Sequence, residues 1–206
     1  MSLLRRRMMQ SSKGFVYTYR AVEGGTPLDD GWVYTRTSFP TITSFTTFSN
    51  ADNIFVVNVN HGGSVAYISI PEHEYAENCS LEIEASYENT CLVFTLSDGE
   101  RIAQAVLTKW GNRYVCMPAN SSGAGAATRN TSPEIYYTVR IEKRGNQGSF
   151  YLNDELIAGN LACKLISDMT CYKSFTKVSV GFDCAGSWGA GDRGVAKIKK
   201  IIYKEW

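Results

Sequence analysis

The chain has 206 residues, of which 44% are hydrophobic and 20% charged, a composition that supports one packed globular core. Its net charge of +1 speaks against nucleic acid as a main partner, because a phosphate-binding surface needs a clear basic excess. No apolar run reaches the length of a membrane span, and the 12 Tyr, 9 Phe and 4 Trp favour strands and offer rings for ligand stacking.

The opening MSLLRRRMMQSSKG carries three arginines without a long apolar segment after them, so it is not read as a secretory signal. It reads as a flexible basic tail over residues 1–14, ahead of one domain over residues 15–206. Short strand-like runs then alternate with turn signals. Phe15 to Arg20 and Gly31 to Thr37 flank a Gly-Gly-Thr-Pro loop. Ile54 to Asn60 and Val65 to Ile70 flank His61-Gly62-Gly63, read as a hairpin turn. Leu81, Ile83, Ala85 and Tyr87 alternate with Ser80, Glu82, Glu84 and Ser86, and Glu88-Asn89 is expected to turn that strand into a hairpin with Cys91 to Leu96. Asp98-Gly99 is the strongest hairpin signal in the chain and leads into Ile102 to Trp110; Gly111-Asn112 leads into Arg113 to Met117. Residues 118–134 show no apolar period and are expected to be a long loop. Residues 159–174 have room for a helical turn around Leu161 to Leu165, and in the last strand the alternation slips at Lys199-Lys200, as a bulge requires.

The six cysteines form no CxxC or Cys/His cluster, so they are expected to be buried free thiols, with no zinc site. No GxSxG elbow accompanies the two histidines, His61 and His73, and His73 with Glu72 and Glu74 reads as a solvated loop before it reads as a metal site. Gly189 to Gly194 matches GxGxxG, but a strand follows where a dinucleotide site needs a helix.

The stretch from Tyr136 to Ile157, YYTVRIEKRGNQGSFYLNDELI, places an alternating strand, a Gly-Asn-Gln-Gly turn and a second strand ending at Asn153-Asp154. It resembles a hairpin of the concanavalin A-like lectin/glucanase and laminin-G-like domains. So does the closing pair of Val178-Ser179-Val180-Gly181-Phe182 and Val195 to Tyr203. The resemblance covers roughly residues 50–206 and implies an all-β, two-sheet antiparallel jelly-roll sandwich of the concanavalin A-like type, a fold that hosts many functions. The first nine residues are similar to the openings of small phage and prophage proteins.

Three functions follow from that resemblance. The first is a non-catalytic carbohydrate-binding or adhesion module, as in a phage or prophage structural protein that recognises a surface glycan. The second is a glycoside hydrolase relative: Glu82-Ile83-Glu84 resembles the E-[IL]-D-x-x-E strand of jelly-roll glucanases, with Glu82 and Glu84 on one face but Ser86 or Tyr87 where a third acid belongs. The competing role for these two glutamates is a wet sheet face paired with Arg140 or Lys143. The third is a structural virion or assembly domain without a ligand. The binding-module reading is preferred, with a glycan as partner. Trp188 in its Gly-rich loop would stack on a sugar ring, and Asp183, Asp192, Arg193 and Asn153 would take its hydroxyls. No cofactor or metal is called for; calcium is compatible but not indicated, and a homo-oligomer stays open. The compartment is not specified; a virion or an extracellular surface fits.

Overall fold

The computed structural model describes residues 8–11, 14–36, 45–60, 65–119, 124–172, 174–183 and 193–206. Among them, two antiparallel sheets face each other across one core, the two-sheet all-β sandwich expected.

The first sheet has nine strands. Its order is β1 (Met8–Ser11), β2 (Gly14–Arg20), β17 (Arg193–Glu205), β7 (Asn78–Glu88), β12 (Tyr137–Arg144), β13 (Gln147–Leu152) and β14 (Glu155–Ala162). Two more strands, β4 (Phe45–Ala51) and β5 (Ile54–Asn60), continue from the early part of β17. The second sheet has eight. Its order is β11 (Gly125–Asn130), β10 (Arg113–Pro118), β9 (Arg101–Thr108), β8 (Cys91–Ser97), β16 (Ser179–Asp183), β6 (Val65–Ser69) and β3 (Val33–Arg36), with β15 (Lys164–Leu165) on β9. Met8–Ser11, inside the segment read as a tail, pairs with Gly14–Tyr17. Among the described residues no helix is long and apolar enough to cross a membrane.

Period-2 alternation decides which side chains enter the core. From the first sheet come Tyr17, Tyr19, Phe55, Ile83, Ile141 and Tyr203; from the second come Phe94, Leu96, Leu107 and Phe182. The same alternation carries Lys143 inward behind Val139 and Ile141, so it does not pair with the outward glutamates as expected. The buried ammonium is held at the far end of the core by Asp98 at 2.7 Å and by the carbonyl of Gly145 at 2.8 Å.

The hairpins expected at Asp98-Gly99, Gly111-Asn112 and Gly145 form. At the first, Asp98 Oδ1 accepts the N–H groups of Glu100 and Arg101, a local bond that pins the turn. Two other expected hairpins do not form. The chain leaves β7 in one sheet and enters β8 in the other, and likewise crosses between β5 and β6. β7 already has β17 and β12 as neighbours on its two edges, so no edge remains for β8. The tract expected as a loop supplies β11 at the edge of the second sheet; Gly125 is needed there because a Cβ would sit 2.6 Å from the Cys116 carbonyl. The Lys199-Lys200 slip is a bulge between Ile198 and Lys200.

Candidate functional site

The bulge shapes the outer face of the first sheet. With Ile198 and Ile201 both buried, the extra residue turns two consecutive lysines outward. Glu82 and Glu84 face the same way on the neighbouring β7. Lys200 Nζ lies 2.7 Å from Glu82, and Lys199 Nζ lies 3.3 Å from Glu84 while sitting 3.8 Å from the Tyr136 ring. The paired carboxylates expected on one strand face are therefore present, each with its own cation.

Around Glu82 the sheet surface dips into an open depression of about 620 Å³. β7 supplies Ser80 and Glu82, β12 supplies Arg140, Glu142 and Arg144, β17 supplies Ile202 and Lys204, and Asp154 and Trp206 close its ends. Register explains the grouping: Arg140 lies opposite Glu82 on one side and Tyr151 on the other. The Arg140 guanidinium stacks 3.7 Å above the Tyr151 ring and hydrogen-bonds Glu142. Arg144 reaches the second oxygen of Glu142 at 3.5 Å and lies 5.5 Å from the Trp206 ring. Among the described residues, Asp154 and Lys204 have no ion-pair partner, and Trp206 is 48% exposed. A second depression of about 370 Å³ lies on the far side of the Glu82–Lys200 pair and includes Arg20, Asn53, Glu84, Lys199 and Lys200.

The other candidates fall elsewhere. Asn153 is the β13–β14 turn residue, its Oδ1 accepting the Thr138 N–H at 2.9 Å, beside Asp154 of the depression. Asp183 ends β16 in the opposite sheet and is buried, its carbonyl accepting the Thr90 hydroxyl at 3.3 Å. Trp188 and Asp192 lie outside the described residues, as does most of the GxGxxG match; Arg193 opens β17. His61 also lies outside them. His73, read as solvated, stacks on Phe15 at 3.6 Å and holds Glu205 at 2.9 Å, while Glu74 pairs with Lys177 at 2.6 Å. Among the described residues no group of His, Cys, Asp and Glu is placed to hold a metal ion.

Four of the five described cysteines are buried, as expected, and Cys171 is partly exposed; Cys184 lies outside the described residues. All five are free, and burial pushes Cys79 and Cys116 up to about 12 and Cys163 up to about 11, which favours the protonated thiol.

No family model matches the sequence, and no curated protein matches it. Solved structures do match in fold. One comes from work on endo-acting O-glycanases that members of the human gut microbiota express to initiate mucin breakdown (TM-score 0.58, 8% identity, 92% of this chain and 98% of that chain). A second is a prokaryotic β-1,3-1,4-glucanase, or lichenase, from a mouse hindgut metagenome (TM-score 0.56, 7% identity, 93% and 99%). A third is the β-glucanase of Bacillus licheniformis (TM-score 0.53, 11% identity, 96% and 100%). At such identity the likeness shows a shared jelly-roll fold. It also corrects the preference for a non-catalytic adhesion module: the lichenase and the β-glucanase that share this fold are glycoside hydrolases, and the hydrolase relative is the reading that agrees with them.

Proposed function

We propose that this chain is a glycoside hydrolase relative that holds a glycan in the depression around Glu82 and acts on it through the carboxylates there. The observation that carries the reading is the convergence of Glu82, Glu142 and Asp154 with the half-exposed Trp206 in one open trough on a glucanase-like sandwich. Glycosidic cleavage needs two carboxyl groups: one donates a proton to the leaving oxygen, and the other attacks the anomeric carbon or activates the water that does. Glu82 pairs with Arg140 in register, and Glu142 lies two residues farther along β12, so the two are diagonal neighbours. Such positions lie roughly 7–8 Å apart along the sheet, so their side chains rise from one patch of the same face, as a cleaving pair requires. Glu142, fixed by two arginines, suits the role of water-activating base. Glu82 is the second carboxylate of the pair, held by Lys200, and Glu84, turned to the second depression, is outside it.

Reducing-end release from mixed-linkage β-glucan and from mucin O-glycans tests this. Cleavage that falls by roughly 10²–10⁴-fold in Glu142→Gln, with melting unchanged, supports it. Absence of new reducing ends from every polymer in a broad glycan panel sinks it.

A further inference from the structure

The outward stripe of β17 is almost wholly cationic. Opposite the buried Ala196, Ile198, Ile201 and Tyr203, this strand presents Lys197, Lys199, Lys200, Ile202 and Lys204, with no acid among them. β17 lies inside the sheet, with β7 on one side and β5 then β2 on the other, so the stripe crosses the middle of the face rather than an edge. Two of its lysines are matched, Lys199 by Glu84 and Lys200 by Glu82. The outer two are not: among the described residues Lys197 and Lys204 have no ion-pair partner, and neither has Arg20, whose Cα lies opposite Lys200 on β2. From Lys197 to Lys204 the strand rises roughly 23 Å at about 3.3 Å per residue. The stripe therefore links both depressions, running past the second and ending in the first.

We infer that the glycan this face accepts is acidic, a linear polymer bearing carboxylates or sulfates laid along β17. The inference rests on the proposed function and narrows its substrate. A neutral polymer gives unmatched ammonium groups nothing beyond the water they already hold, whereas spaced anions meet Lys197, Arg20 and Lys204 in turn. Arg140 and Arg144 add planar forks whose N–H groups not used by Glu142 can donate edge-on to a carboxylate, because ring contacts with Tyr151 and Trp206 occupy only their faces. Trp206 supplies the apolar ring surface on which a pyranose stacks, so the site reads sugar and charge together. The chain's net charge of +1 gives it no broad basic surface of the kind a nucleic acid needs, so the local stripe fits a chain of spaced anions better.

The test compares polygalacturonate and a sulfated glucan with mixed-linkage β-glucan by titration calorimetry on the full chain, at low and physiological salt. The acidic polymers are expected to bind at least tenfold tighter, with the advantage shrinking as salt shortens the screening length toward about 8 Å. Replacing both Lys197 and Lys204 with Glu should remove that advantage. If the charge-reversed protein does not fold, K197Q/K204Q should reduce it severalfold. Equal binding of β-glucan and the acidic polymers overturns the inference and leaves the proposed function standing. Binding of none of these polymers, with no cleavage, overturns both. Single-stranded DNA bound as tightly as polygalacturonate overturns the glycan specificity.

Discussion

The two sheets treat their outer faces in opposite ways. On the nine-stranded sheet the outward side chains of β7, β12 and β17 are largely charged and half-exposed, and several form ion pairs over open depressions. On the eight-stranded sheet β8, β10 and β16 are buried on both faces. Phe175 and Tyr172 lie against Tyr67, Cys91, Val93 and Val106 and make a second small core there. Phe175 meets Tyr67 edge-on, and its ring rests where Gly181 leaves out a side chain: a Cβ at that position would come within 2.5 Å of it. The covered face still contains polar groups. Gln104 donates to Thr95 at 3.0 Å, while Gln104 Oε1 and Ser69 Oγ are buried with no hydrogen-bond partner. The contrast teaches where stability and function are divided. Changes under the cover should cost stability, and changes on the open face should alter glycan handling while leaving the fold in place.

Phe175→Ala gives the sharpest break. Emptying a fully buried aromatic position should cost about 3–5 kcal/mol, read by urea denaturation. A loss below about 1 kcal/mol would mean that the second core does not hold the cover down. Gly181→Ala should cost less, about 1–3 kcal/mol, because the added methyl meets a ring that is itself buried and has no space to yield; a neutral result would show the cover to be loosely seated.

Acid should act through Asp98, at the end of the core between the two sheets. Burial alone would raise its carboxyl, but the hydrogen bonds from Lys143 and from the backbone N–H groups of Arg101 and Glu100 prevail and lower it. A lowered folded value means that its contribution is present above the unfolded carboxylate range near about 4 and is lost as pH falls through the folded value. The advantage of the native chain over Asp98→Asn should therefore be full at neutral pH and shrink below that range, as followed by urea midpoints. A pH-independent difference would assign the pair no such role. The smallest effect belongs to Glu84→Gln on the open face: an exposed pair with Lys199 should contribute roughly 0.2–1 kcal/mol. A melting shift as large as that of Phe175→Ala would erase the distinction between the faces.

Local chemistry was the legible part of this chain. Asp98-Gly99 and Gly145 announce hairpins because their own backbone and side chains make the turn, and the slip at Lys199-Lys200 announces a bulge because parity fails there. Glu88-Asn89 misled, since a turn residue with φ 51° at Asn89 serves a sheet crossing as well as a hairpin, and only the occupied edges of β7 decide between them. The site was half legible. Glu82 and its facing Arg140 follow from alternation, whereas Glu142 is one outward residue among many on β12 and nothing in its local sequence marks it. Lys204 and Trp206 arrive from a strand more than a hundred residues downstream, and no local pattern ties them to β7. Lys143 was misplaced although its parity with Val139 and Ile141 was readable, because a lysine is so rarely buried without a carboxylate waiting for it.

The bulge in β17 has a consequence for how this gene can change length. In a strand, losing one residue ordinarily swaps inside for outside along everything that follows. Here the tally already contains a spare. Remove Lys199 and the order reads Ile198 in, Lys200 out, Ile201 in, so Ile201 and Tyr203 keep their seats in the core and Glu82 keeps Lys200. Remove Lys197 instead and the faces between Ala196 and the bulge exchange. A chain shortened at position 199 should still melt cooperatively, while one shortened at 197 should not. The bulge is thus where the last strand tolerates a frame-preserving deletion, and with it the contact to Glu84 can be lost without disturbing the core.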